Sequence, residues 1–203
     1  MKLFYSPTSP YVRKVMAVAI EKGLDGSIEK LASAVSPVAR DANVVSRNPL
    51  GKVPCAILDD GRVLYDSRVI AAYIDSLKQP ALNPSSGGAL LDALTLEALA
   101  DGMLDAGLLI RYETFMRPEA LRWADWQNGQ LAKINAGLNT LEAQWTAALN
   151  GPVTIGSIAV GCALGWISFR LDDLDWRATR PRLAAWEKTF GARPSMQATA
   201  PKA

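Results

Sequence analysis

The sequence predicts two domains: a small α/β domain over residues 1–77 and an all-helical domain over residues 89–203, joined by a linker at 78–88. Three observations carry this expectation. The first 77 residues alternate strand-like and helix-like patterns. Residues 78–88 gather Pro80, Pro84, Ser85, Ser86, Gly87 and Gly88, a composition that interrupts regular structure. Beyond them, apolar residues recur at helical spacing with no strand pattern.

Within the first domain, Lys2 to Tyr5 reads as a short strand and Ser6-Pro7-Thr8-Ser9-Pro10 as a break. From Tyr11 to Lys22, one helical face carries Val12, Val15, Met16, Ala19 and Ile20, and Gly23 closes the helix as a C′ glycine. Ser27 to Leu31 alternates as a second strand. Ser36-Pro37 suggests a helix start by cap and first-turn logic. Asn48-Pro49-Leu50-Gly51 reads as a turn, Pro54 to Leu58 as a strand, Asp59-Asp60-Gly61 as a hairpin turn and Val63 to Tyr65 as the partner strand. Asp66-Ser67 then caps a helix bearing Val69, Ile70, Tyr73, Ile74 and Leu77. The order βαβ, helix, ββα, with a mixed four-stranded sheet, is the thioredoxin-like arrangement.

In the second domain, helical segments are expected from about Ala89 to Met116, from about Glu119 to Leu149, from Thr154 onward, and from Pro181 to about Gly191. Thr154 is a good N-cap. Ser157 at the third helical position is a short neutral group, so a weaker cap is expected there. The tail from Ala192 is Pro/Ala-rich and reads as irregular.

Composition excludes several chemistries. The chain has 203 residues, no histidine and only two cysteines, Cys55 and Cys162. No Ser-His-Asp or Cys-His nucleophile can be assembled, and no His-based zinc site. Hydrophobic content of 49% against 21% charged supports packed cores over disorder. A net charge of +2 without a Lys/Arg block argues against nucleic acid and anionic membrane surfaces as partners. The N-terminus lacks an apolar signal segment, and the stretch around Ile158 to Ile167 is too short to span a bilayer. A cytoplasmic location is therefore expected, where scattered thiols stay reduced. Cys55, inside an apolar strand, and Cys162, inside an apolar helix, read as small buried hydrophobes.

Three strings together resemble the cytosolic glutathione S-transferases. These are Phe4-Tyr5-Ser6-Pro7-Thr8-Ser9-Pro10-Tyr11-Val12-Arg13-Lys14, Asn48-Pro49-Leu50-Gly51-Lys52-Val53-Pro54, and Leu64-Tyr65-Asp66-Ser67-Arg68-Val69-Ile70. The segment from Ala100 to Ala106 and the one from Val153 to Leu164 are also similar to that family. The resemblance covers nearly the whole chain and is nearest to bacterial transferase-like proteins of unassigned class, with theta-, omega- and beta-like features.

The resemblance implies a reaction in which the nucleophile is borrowed: the thiol of glutathione attacks an electrophile. Glutathione is then a co-substrate, and no metal is implied. Ser9 would donate to the sulfur, aided by the helix N-terminus behind it. Relatives of glutaredoxin or omega type carry Cys at that position, so Ser9 argues against thiol–disulfide exchange by the protein. Read alone, Ser9-Pro10 is equally an N-cap and first helical residue, and Tyr5, Ser6 and Thr8 are rival hydroxyls. The resemblance makes Pro54 cis, with Val53 presenting its backbone to the cysteinyl unit of glutathione. Lys52 would reach a glutathione carboxylate, unless it is a solvated turn lysine. Asp66 would take the γ-glutamyl ammonium, and Ser67 with its helix N-terminus the adjoining carboxylate; both also read as plain caps. Theta-like relatives hold the glycyl end with a His; here Arg40 and Lys52 are the nearest candidates.

A pocket for the small electrophile is expected between the domains. Tyr11, Asp105, Arg111, Tyr112, Phe115, Trp166 and Phe169 are its candidates, with Tyr11, Tyr112 and Trp166 preferred as substrate-binding residues. Arg111 reads equally as a subunit salt-bridge residue. A homodimer is implied by resemblance. The alternative function is a non-catalytic binding or assembly module that keeps the fold.

Overall fold

The computed structural model describes residues 1–201. Strand β1 (Lys2–Tyr5) buries Leu3 and Phe4 and pairs in parallel with β2 (Glu29–Ala32) on one side. On its other side it runs antiparallel to β3 (Cys55–Ile57), which pairs antiparallel with β4 (Val63–Leu64). The four strands lie in the order β2-β1-β3-β4, the mixed sheet expected of a thioredoxin-like unit. The β3–β4 turn closes through Leu58 N–H to Arg62 O at 2.8 Å, with Gly61 at φ 87°.

Helix α1 (Pro10–Glu21) starts at Ser9, whose hydroxyl oxygen accepts from the Val12 amide at 3.3 Å, with Pro10 preset for the first turn. Val12, Val15, Met16 and Ala19 are buried as the helical spacing requires, while Ile20 is half-buried. Gly23, at φ 64°, donates to Ile20 O, and Leu24 donates to Ala19 O, a Schellman closure.

The second helix departs from expectation. Helix α2 (Ala42–Val45) starts six residues after Ser36 and is capped by Asp41. Asp41 accepts from the Asn43 amide and from the Ser33 hydroxyl at 2.7 Å, two bonds that anchor it as the cap. The Ser33 hydroxyl, followed by the Asn43 amide, holds the Asp41 carboxyl below its ordinary value. Ser36 instead serves a local turn, accepting from the Val38 amide.

Helix α3 (Ser67–Ser76) is capped by Asp66 and buries Ile70, Ala71 and Ile74 against α1. The ends of these two helices are tied by Lys22 and Asp75, both buried, at 2.9 Å. Lys22 also donates to the carbonyls of Lys78 and Pro80, and Asp75 accepts from the amides of Leu82 and Asn83. The linker composition thus takes a fixed course through one ion pair.

The chain divides into two compact units. One holds the sheet, α1 to α3 and, from Pro194 on, the tail; the other runs from Ser86 to Arg193. The tail, expected to be irregular, forms a short helix, α9 (Pro194–Ala198), that packs on α1. Arg13 donates to Met196 O at 3.2 Å, and Ser195 donates to Glu21 at 2.5 Å.

The second unit is all-helical. Helix α4 (Gly87–Phe115) is followed by a 3₁₀ turn at Glu119–Leu121, then α5 (Ala124–Thr140), a π-helical turn at Leu141–Trp145 and α6 (Thr146–Leu149). The single segment expected over 119–149 is therefore interrupted twice. Helix α7 (Ile155–Arg170) and α8 (Pro181–Gly191) complete the unit. Small residues let the helices approach closely: Gly156 lies against Ala93 and Leu96, and Gly107 against the ring of Trp166. The cap of α7 is stronger than expected. Thr154 Oγ1 accepts from the Ser157 amide at 3.1 Å, and Ser157 Oγ accepts from the Thr154 amide at 2.9 Å, a full capping box with serine in the acid's place. No helix among the described residues is long and apolar enough to cross a membrane.

Candidate functional site

Sheet register brings three distant segments to one edge. Strand β1 ends at Tyr5, a few residues before Ser9 and the N-terminus of α1. Phe4 pairs with Cys55, so the preceding Val53-Pro54 lies beside that end of β1. Ala56 pairs with Leu64, so the exit of β4 into Asp66-Ser67 lies at the same edge. Hydroxyls, the Val53-Pro54 peptide and a carboxylate at a helix start therefore share one rim of the sheet, beside the N-termini of α1 and α3. Both helices are long enough to project a positive dipole end there.

At this rim the Val53–Pro54 peptide is cis, and the Tyr65–Asp66 peptide is cis as well. The Ser9 oxygen is used as the cap of α1, yet a hydroxyl accepts and donates at once, so its own proton stays available. Ser6 and Thr8 face each other at 3.5 Å. Tyr5 and Ser6 line a cleft of about 150 Å³ with Arg13, Met16, Lys30 and Thr199, and the Lys30 ammonium lies 5.0 Å from the Tyr5 ring centre. Ser9, Pro54 and Ser67 do not line that cleft.

Asp66 is exposed and accepts from the Arg68 amide at 3.1 Å, with the Arg68 guanidinium 3.4 Å from its other oxygen. Ser67 is buried as a residue, and its hydroxyl has no hydrogen-bond partner among the described residues. Lys52 is exposed; its carbonyl accepts from the Asn48 side chain at 2.9 Å, which shapes the turn ahead of Val53. Arg40 reaches the same turn, donating to Pro49 O and packing on Gly51. Two cations thus flank the loop that leads into the cis-proline. Arg40 follows Ser36-Pro37 in sequence, and only the course of that loop brings it here.

Tyr11 occupies the first turn of α1 and is half-buried. In the helical unit, Tyr112 near the end of α4 is half-buried, and burial pushes its phenol above the ordinary value. Trp166 is a correction: it is 2% exposed, and its ring occupies the space that a Cβ at Gly107 would need, with Cζ3 2.6 Å from that point. It packs the core of α4 and α7 and presents no open face to a small molecule.

Both cysteines are buried, and neither is in a disulfide. Burial pushes the Cys55 thiol up to about 11, against a smaller opposing pull from Arg47. A buried thiol pushed up in this way is protonated near pH 7, which disfavours it as a nucleophile. No group of three or more His, Cys, Asp or Glu among the described residues is arranged to hold a metal ion.

Comparison with known proteins agrees with this geometry. Residues 8–77 match the family model for the glutathione S-transferase N-terminal domain, and residues 124–188 that for the C-terminal domain. The chain is 36% identical to the uncharacterised GST-like protein YibF of Escherichia coli K12, over 99% of this chain and 98% of that one. A crystal structure of a glutathione transferase family member from Pseudomonas fluorescens Pf-5, with bound glutathione, superposes with a TM-score of 0.98. It is 47% identical, over 100% of this chain and 99% of that one. A second structure from that organism holds S-(propanoic acid)-glutathione, with a TM-score of 0.93, 46% identity and complete coverage of both chains.

Proposed function

Since the chain belongs to the glutathione S-transferase family, we propose that it binds glutathione at the sheet rim and conjugates it to a small electrophile. The observation that carries this reading is the convergence of Ser9, the Val53–Pro54 peptide and Asp66-Ser67 at one edge of the sheet. Glutathione held in the Pseudomonas fluorescens relatives supports it, and S-(propanoic acid)-glutathione supports room for a substituent on sulfur.

The ends of the tripeptide suit the groups present. Asp66 offers an anion to the γ-glutamyl ammonium, and the unpartnered Ser67 hydroxyl with the α3 amides offers donors to the adjoining carboxylate. Val53, just before the cis-proline, offers its backbone N–H and C=O to the cysteinyl unit. Lys52 and Arg40 provide the cations for the glycyl carboxylate. The sulfur then sits before α1, where the Ser9 hydroxyl donates to it.

A thiol titrates at about 8.5, and lowering that by ~2 units requires about 2.7 kcal/mol of preference for the thiolate. A hydrogen bond to a charged group contributes about 1.5–3 kcal/mol, and a helix terminus about 0.3–1. Together these reach the required magnitude without another catalytic group. The thiol proton passes to solvent, the sulfur forms a bond to the electrophilic carbon, and the leaving group departs with the bonding pair. Holding both reactants converts the collision into a nearly intramolecular step. We place the protein, as a homodimer, in a reducing compartment.

Retention on glutathione resin, a rise in melting temperature with millimolar glutathione, and conjugation of an activated aryl chloride test the reading. Binding without conjugation would favour the non-catalytic module; absence of all three overturns the proposal.

A further inference from the structure

Helix α1 and the strands beside it enclose a cleft of about 150 Å³ that the glutathione rim does not use. Its lining comes wholly from the unit that carries the sheet. Arg13, Met16 and Ile20 stand at helical spacing on one face of α1. Lys30 of β2 pairs with Leu3 of β1, and Tyr5 lies two positions beyond Leu3, so Lys30 and Tyr5 project to the same side of the sheet. Thr199, brought back by the tail, completes the lining.

Charge in this cleft is unbalanced. Arg13 donates through Nη2 to Met196 O at 3.2 Å and through Nε to Thr199 Oγ1 at 3.5 Å, both neutral acceptors. Its Nη1 is buried and has no hydrogen-bond partner among the described residues. A buried donor left without an acceptor is costly, and an anion in the adjoining space relieves that cost. Lys30 lies 5.0 Å from the Tyr5 ring centre and forms no ion pair among the described residues. Neighbouring carboxylates are engaged elsewhere: Glu21 accepts from the Ser195 hydroxyl, and Glu29 lies 3.5 Å from Lys2. Asp25 is the one acid among the described lining residues. Two cations against one acid leave a single net positive charge, which suits a monoanion better than a dianion. Met16 is buried and Ile20 half-buried, so the helix side of the cleft offers an apolar wall. A space of this volume accepts a benzene-sized molecule.

We propose that this cleft is a second ligand site, for a small organic monocarboxylate of about the size of benzoate. Arg13 and Lys30 hold the carboxylate, and Met16 and Ile20 hold the apolar body. Ser9, Val53-Pro54 and Asp66-Ser67 lie outside the lining, so the site is separate from the glutathione rim. It therefore stands independently of the transferase reading.

The test is an amide-shift NMR titration of the full chain with benzoate, benzamide or inorganic phosphate, with and without saturating glutathione. Benzoate should move the amides of Ser6 and Lys30 with a Kd of ~1 mM or tighter, and bind ~10-fold more tightly than benzamide or phosphate. Glutathione should leave that Kd unchanged. Because Arg13 also holds the tail, the charge is tested at Lys30 and Asp25, with melting curves showing each variant folded. Lys30→Gln should weaken benzoate ~5-fold, and Asp25→Asn, which removes the opposing acid, should tighten it ~3-fold. Absence of benzoate binding, or binding that shifts other amides and spares these, overturns the proposal. So does displacement of benzoate by glutathione, which would put it at the rim. Equal affinity for benzamide or phosphate overturns the monocarboxylate assignment, as does an unchanged Kd in both variants.

Discussion

The ammonium of Lys22 lies 2.9 Å from a carboxylate oxygen of Asp75, with side chains only 3% and 8% exposed. A buried pair of this kind contributes little net energy, but removing one partner strands the other charge. Lys22→Met or Asp75→Asn should therefore destabilise the protein by ~3–5 kcal/mol in urea unfolding. The double variant, Lys22→Met with Asp75→Asn, should recover much of the loss. Burial alone would raise Asp75, but the Leu82 amide, Lys22 and the Asn83 amide outweigh it and hold the carboxyl low. A carboxyl lowered on folding adds stability above its unfolded value and loses it as pH falls through the folded one. The Asp75 contribution should thus be intact above about pH 4 and vanish below it, as urea midpoints across the acid range would reveal.

Ser9 has two tasks that separate by substitution. Glycine is nearly as good an N-cap as serine, whereas alanine costs ~1 kcal/mol. Ser9→Gly and Ser9→Ala should both slow conjugation by ~10- to 100-fold and move the pH–rate inflection upward by one to about two units. Only Ser9→Ala should lower the melting temperature appreciably. An unshifted profile in both would transfer the thiol contact to Thr8 or another hydroxyl.

Asp66→Asn keeps a helix cap and removes a charge. It should weaken glutathione binding by ~10-fold or more while leaving stability within ~0.5 kcal/mol. Ser67→Ala should weaken binding less, since the α3 amides remain. Calorimetric Kd values beside melting curves separate the two effects.

Gly156→Ala places a methyl against the Ala93 carbonyl of a packed neighbouring helix. A loss of ~2 kcal/mol or more is expected, because the obstruction is backbone and cannot swing aside. Gly137→Ala presses on the flexible Met103 side chain, with Leu99 at ordinary contact distance, and should cost less.

Cys55 should resist alkylation in the folded protein. With its thiol pushed up to about 11 and its side chain buried, iodoacetamide at pH 8 should label it only under denaturant. Mass spectrometry of the native chain reads this directly.

What the sequence made legible follows from how local each signal is. Helix α1 and the β3–β4 hairpin are written in adjacent residues: a cap, a spacing, a Gly at each required positive φ. Helix α2 was misplaced because Ser36-Pro37 has the right local chemistry, while Asp41 wins through Ser33, eight positions away. The interruptions between 119 and 149 left no break residue strong enough to see. At the site, the motif strings named Ser9, Val53-Pro54 and Asp66-Ser67, but their meeting at one rim is a property of strand register. Trp166 looked like a ligand contact because an aromatic carries no mark of which way its helix turns.

The short helix α9 rests on α1, so the unit that opens the chain is finished by residues that follow the whole helical unit. A ribosome must therefore extrude the whole helical unit, Ser86 to Arg193, before Arg13 meets Met196. The sheet unit, first to emerge, is the last to be completed, and a nascent chain stalled before Pro194 would carry α1 with this face uncovered.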